Sequence, residues 1–118
     1  MSMYNYKEVE ANSVEYIPIS TVIDFPDGER LFVQIDDREL VVFKIAGDYF
    51  AIGDVCSHDD GPLGEGDLED YDVICPRHGA RFDIRSGKVN SLPAVVDIPA
   101  YPVRVVGDQI EVGIPFEE

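Results

Sequence analysis

Two cysteines and two histidines are the whole complement of these residue types in the 118-residue chain. They fall in two short knuckles, Cys56-Ser57-His58 and Cys75-Pro76-Arg77-His78, with sixteen residues between. Each knuckle offers one thiolate and one imidazole, both good ligands for iron or zinc. Structural cysteines and histidines scattered through a chain rarely pair up twice in the same order. The spacing therefore points to a metal site on Cys56, His58, Cys75 and His78. A plain Cys56–Cys75 disulfide requires the histidine spacing to be coincidence.

Which metal is decided by the alternation of ligand types. A closed tetrahedral zinc site is one reading, but zinc fingers usually supply a Cys pair and then a His pair. Their knuckles also hold two or more residues between ligands, and here the first holds one. A binuclear iron centre with two Cys on one iron and two His on the other takes one ligand for each iron from each knuckle. The observed order follows from that arrangement. Two ferric ions, two sulfides and two thiolates carry no net charge when both imidazoles are neutral. Adding an electron to such a site in a low-dielectric pocket is easier than adding one to an all-thiolate dianion.

The elements that must position these knuckles read as strands. Short β-branched and aromatic runs at Glu15–Ile19, Leu31–Ile35, Leu40–Ile45 and Tyr49–Ile52 are separated by turn signals. The signals are Asp24-Phe25-Pro26-Asp27-Gly28, Asp36-Asp37 and Gly47-Asp48. Tyr101–Val106, Gly107-Asp108 and Gln109–Val112 read as a hairpin. Helical periodicity is missing, and eight prolines, several inside apolar runs, oppose helices. The chain is predicted to be all-β, with antiparallel sheets in a small barrel or sandwich. From Asp54 to about Pro93 the sequence is rich in Gly, Pro and Asp and holds all four candidate ligands. Such an irregular stretch needs something to organise its backbone, and a metal centre does so.

The length suits one domain spanning residues 1–118. An apolar fraction of 45% is ordinary for a globular protein. Nine Lys and Arg against 24 Asp and Glu give a formal charge of −15. A polyanion is repelled by phosphate backbones and anionic lipid, so nucleic acid and membrane surfaces are excluded as partners. The acidic balance suits solubility or steering toward a basic partner. Two cysteines are too few for the disulfide framework of a secreted chain this size. Met1 to Lys7 has no apolar run of signal-peptide length, and no stretch is long enough to span a bilayer. The expectation is a cytoplasmic, soluble protein. No nucleophile–base pair, phosphate loop or nucleotide fingerprint is present.

Around the knuckles the chain resembles the Rieske-type [2Fe–2S] ferredoxins. Ala51-Ile52-Gly53-Asp54-Val55-Cys56-Ser57-His58 is similar to the approach to their first cluster loop, with Leu63 and Gly66 at the expected distances. Cys75-Pro76-Arg77-His78-Gly79, with Phe82-Asp83 and Gly87, is similar to the second loop and the turn after it. Ser91-Leu92-Pro93-Ala94 resembles the proline-containing third loop. The resemblance covers about residues 14–114. It implies a Rieske-like fold with an inserted cluster-binding subdomain, its loops at about 54–93. It also implies one [2Fe–2S] cluster on Cys56, His58, Cys75 and His78, with the outer histidine nitrogens at the surface.

Respiratory members of that family add a cysteine in each loop and hydroxyl donors to the cluster sulfurs. The matching positions here are Gly61 and Arg77, then Ala80 and Phe82. The resemblance therefore implies a carrier ferredoxin and not an enzyme. Such carriers pass single electrons from a flavin-dependent reductase to a terminal oxygenase, often one that dihydroxylates aromatic rings. The alternatives are the small subunit of a multi-component reductase, such as a nitrite reductase, and a structural zinc-binding module. Arg77, Arg81, Arg85 and Lys88 could meet an acidic partner surface, but they read first as solvated charges. Asp59, Asp60, Glu65, Asp67, Glu69, Asp70 and Asp72 could dock a basic partner.

Overall fold

The computed structural model describes residue 6 and residues 8–116. Most of the Met1–Lys7 segment read for targeting signals lies outside the described residues. The described residues form eleven strands and no helix: β1 Val14–Thr21, β2 Arg30–Ile35, β3 Arg38–Ile45, β4 Asp48–Gly53, β5 Leu68–Glu69, β6 Asp72–Ile74, β7 Arg81–Asp83, β8 Val89–Ser91, β9 Ala100–Tyr101, β10 Val103–Val106 and β11 Gln109–Pro115. They make three antiparallel sheets, ordered β1-β11-β10, β2-β3-β4-β9 and β5-β6-β7-β8. The all-β expectation holds, and no helix is present to cross a membrane among the described residues.

The run Leu40-Val41-Val42-Phe43 explains how the layers stack. Successive strand residues face opposite sides of a sheet. Leu40 and Val42 enter one apolar core with Phe25, Ala51, Tyr101, Ile110, Val112 and Ile114. Val41 and Phe43 enter a second core with Ile52, Leu63, Val73, Phe82 and Ile84. β3 is therefore buried on both faces, which is why its sequence is continuously apolar. The first core joins the central sheet to β1-β11-β10, and the second joins it to the small sheet β5-β6-β7-β8.

The turns lie close to where the sequence marks them. The β3–β4 hairpin closes on Ala46 and Gly47, with φ of 53° and 86°, one residue before the expected Gly47-Asp48. Two positive φ values match the right-handed twist of the flanking strands. Pro102, which has no N–H to donate to a ladder, splits the Tyr101–Val106 run into β9 and β10. The two halves then serve different sheets.

The segment 54–93 departs most from expectation. It is not loop alone but carries β5 to β8, with Leu63, Val73, Ala80, Phe82 and Ile84 fully buried. Strand pairing and an apolar core of its own organise much of this backbone. The two Cys–His knuckles occupy what remains.

Candidate metal centre

Both knuckles are built on the same turn. The Cys56 N–H donates to the Gly61 carbonyl at 2.8 Å, and the Cys75 N–H to the Ala80 carbonyl at 2.7 Å. Each cysteine carbonyl in turn accepts from the fourth residue on, Asp60 at 2.7 Å and Gly79 at 3.0 Å. Those two residues have left-handed φ values of 60° and 78°. This reversal turns the thiols inward and leaves the histidines outside.

The first loop is held by two further residues. The Asp54 Oδ1 accepts from the N–H groups of Leu63 and Gly64 at 3.0 and 2.6 Å. From β2, the Arg30 Nη1 donates to the carbonyls of Gly64 and Gly66 at 2.5 and 2.7 Å, while its guanidinium lies 5.0 Å from the Phe43 ring centroid. In the third loop Ala94 is buried, and Ser57 Oγ donates to the Val96 carbonyl. Leu92 and Val95 around it are exposed.

The four predicted residues come together in two pairs. Cys56 and Cys75 are free thiols, 0% and 1% exposed. Their sulfurs and an Asp59 carboxylate oxygen all lie within 4.8 Å of one another. His58 and His78 lie outward, with ring centroids 5.1 Å apart and planes at 87°. The His78 side chain is 57% exposed, and its Nδ1 is 3.8 Å from Asp59 Oδ2. Burial pushes the Cys56 thiol up to about 11, a rise opposed by a backbone hydrogen bond from His58 and reinforced by Cys75. A thiolate there needs a cation to sustain it.

The charges around the site are less free than the sequence suggests. Arg77 grips Asp59 through Nε–Oδ2 at 2.6 Å and Nη2–Oδ1 at 2.9 Å, and donates from Nη1 to the Pro62 carbonyl at 2.7 Å. This pairing holds the Asp59 carboxyl well below the usual carboxylate range. Arg81 meets Glu69 at 2.8 Å, and Arg85 meets Asp83 at 2.9 Å. Arg77, Arg81 and Arg85 stay partly exposed, as read from the sequence, and each is also paired with a carboxylate of this chain. Nothing in the local spacing signals the partnership of Arg77 with Asp59, which are 18 residues apart.

Residues 15–102 match the Rieske [2Fe-2S] domain family. The chain belongs to that family. Over 105 residues it is 34% identical to the anthranilate 1,2-dioxygenase ferredoxin subunit of Burkholderia cepacia, covering 89% of this chain and 97% of that one. It is 40% identical over 96 residues to the 3-phenylpropionate/cinnamic acid dioxygenase ferredoxin subunit of Escherichia coli strain K12, covering 80% and 89%. Among solved structures it is similar to the ferredoxin in a complex of reduced oxygenase and oxidized ferredoxin of carbazole 1,9a-dioxygenase. That likeness has a TM-score of 0.77 at 25% identity and covers 87% of this chain and 97% of the other.

As a Rieske ferredoxin, the chain carries one [2Fe–2S] cluster and is an electron-transfer component, not a catalyst. The zinc reading is set aside. The donor set suits the cluster: two buried sulfurs for one iron and two outward imidazoles for the other.

Proposed function

We propose that this protein is a single-domain cytoplasmic carrier, residues 1–118, that takes electrons one at a time from a flavin-dependent reductase and delivers them to a terminal oxygenase. Cys56 and Cys75 hold one iron of its cluster, and His58 and His78 hold the other. The observation that carries this reading is the contrast in burial within one site, with both thiols sealed in and both imidazoles facing out. Bound there, the cluster supplies a one-electron couple at higher potential than an all-thiolate centre.

The chain's own residues do the rest. The buried thiols, packed with Leu63, Ala80 and Phe82, are shielded from water. The imidazoles form the point at which a docked partner comes closest. Relatives that are dioxygenase ferredoxin subunits favour the carrier over a nitrite-reductase small subunit.

Metal and sulfide analysis of the purified protein tests the site: two irons and two acid-labile sulfides per chain are expected. Dithionite should bleach the red-brown colour and produce a paramagnetic signal with mean g below the free-electron value. A colourless protein with one zinc per chain would end the reading. Stopped-flow oxidation of the reduced protein by a purified aromatic-ring oxygenase tests the partner, and no reaction with any such oxygenase would count against it.

A further inference from the structure

We propose that Arg77 is a positioning residue that neutralises Asp59 beside the metal centre and so raises the centre's reduction potential. The inference rests on the ligand assignment above. Asp59 places a carboxylate oxygen within 4.8 Å of both cysteine sulfurs and 3.8 Å from His78 Nδ1. A lone negative charge at that distance favours the oxidised, less negative state of any redox group held by those residues. Arg77 meets the carboxylate with two N–H···O bonds, one to each oxygen, the bidentate pairing in which an arginine holds a carboxylate most tightly. The third bond, to the Pro62 carbonyl, fixes the guanidinium against the first loop. The pair is partly shielded, with 32% and 23% of the two side chains exposed, so solvent does not fully screen its field.

Gly61 makes room for this arrangement. A Cβ at position 61 would lie 2.7 Å from the Arg77 guanidinium carbon, so even alanine displaces the arginine. Gly61 does not have a left-handed φ, and its backbone accepts alanine. Gly61→Ala is therefore a way to move Arg77 without changing any charge.

The test is a cycle of variants read by protein-film voltammetry, with iron and sulfide measured on each. Arg77→Leu should lower the potential, Asp59→Asn should raise it, and the double variant should return close to wild type. Gly61→Ala should shift it in the same direction as Arg77→Leu, and Arg77→Lys should shift it less. Arg77→Leu and Asp59→Asn moving the potential in the same direction, or an Asp59→Asn potential at or below wild type, would overturn the proposal. Should Arg77→Leu fail to retain its cluster, Asp59→Asn and Gly61→Ala decide alone. Wild-type protein lacking two irons and two sulfides would instead sink the ligand assignment, and this inference with it.

Discussion

The imidazoles of His58 and His78 stand edge to face at the outer end of the site, 5.1 Å apart. They come from different loops, and only the fold brings them into register. Replacing either by alanine should remove the visible absorbance and labile sulfide. The sheet signal in the far ultraviolet should stay, because β5 to β8 pack on their own buried residues. Circular dichroism beside sulfide analysis checks this, and collapse of the sheet signal would show that the metal centre organises the lobe.

Ala80 and Phe82 are fully buried in the same core as both cysteines. They stand where high-potential relatives carry hydroxyls, so the potential should lie near the low end of the Rieske range, roughly −150 mV. Hydrogen bonds to charged groups contribute about 1.5–3 kcal/mol, and only the difference between redox states moves the potential. A difference of about 1 kcal/mol corresponds to roughly 40 mV for one electron. Ala80→Ser with Phe82→Tyr should raise the potential by several tens of millivolts. A wild-type value well above zero, or no rise in a variant that keeps its cluster, would remove hydrogen bonding as the controlling influence.

Arg30 joins the central sheet to the first loop through two carbonyls of buried glycines. Arg30→Met keeps much of the side-chain bulk but leaves both carbonyls without this donor. The cost should be about 2–6 kcal/mol, because each of the two unsatisfied buried carbonyls loses about 1–3 kcal/mol. The midpoint of chemical denaturation measures it, and an unchanged midpoint would show that water replaces the guanidinium.

The formal charge of −15 predicts that reduction by a basic partner slows as salt is added. Steering is screened beyond about 10 Å at 0.1 M ionic strength. Glu65, Asp67 and Asp70 are among the exposed carboxylates of the first loop and the β5–β6 turn, so their amides should reduce the salt dependence. A rate indifferent to ionic strength would leave the acidic surface with solubility as its role.

The raised Cys56 thiol gives the metal-free protein an alkaline limit. The folded state favours the neutral thiol, so this contribution is complete below the ordinary value of 9.0 and is lost as pH rises through about 11. Thermal melts of the metal-free chain should fall across that window. Cys56→Ala should flatten the decline, and a wild-type melt that stays level from pH 9 to 11 would contradict the assignment.

Much of this was legible in the chain, for physical reasons that also mark the limit. The knuckles declare themselves because two ligands on one turn must be close in sequence. The long strands declare themselves by alternation or by a continuous apolar run, as in β3. β5 to β8 are two or three residues each, too short for a period to register. Their isolated apolar residues, such as Val73 and Phe82, gain meaning only when the hairpins bring them together. The pairing of Arg77 with Asp59 and the reach of Arg30 to Gly64 cross 18 and 34 residues and leave no local trace. Gly66 lies between. Its place was visible by resemblance, but the reason is steric, since a Cβ there would lie 1.8 Å from the Ile74 carbonyl oxygen.

β4 and β9 are neighbours, paired through Ala51 with Tyr101 and Ile52 with Ala100, and the Gly53 N–H meets the Pro99 carbonyl at 3.0 Å. The lobe that carries the two Cys–His knuckles thus departs from and returns to adjoining strands, whose backbones run about 4.8 Å apart. Whatever is threaded between them leaves the ladders of the host sheet undisturbed. The lobe is in this sense a cassette on a two-strand neck, seated on an apolar floor of Val41, Phe43 and Ile52. Both ends of the lobe, Gly53 and Pro99, thus meet at one place on the host sheet.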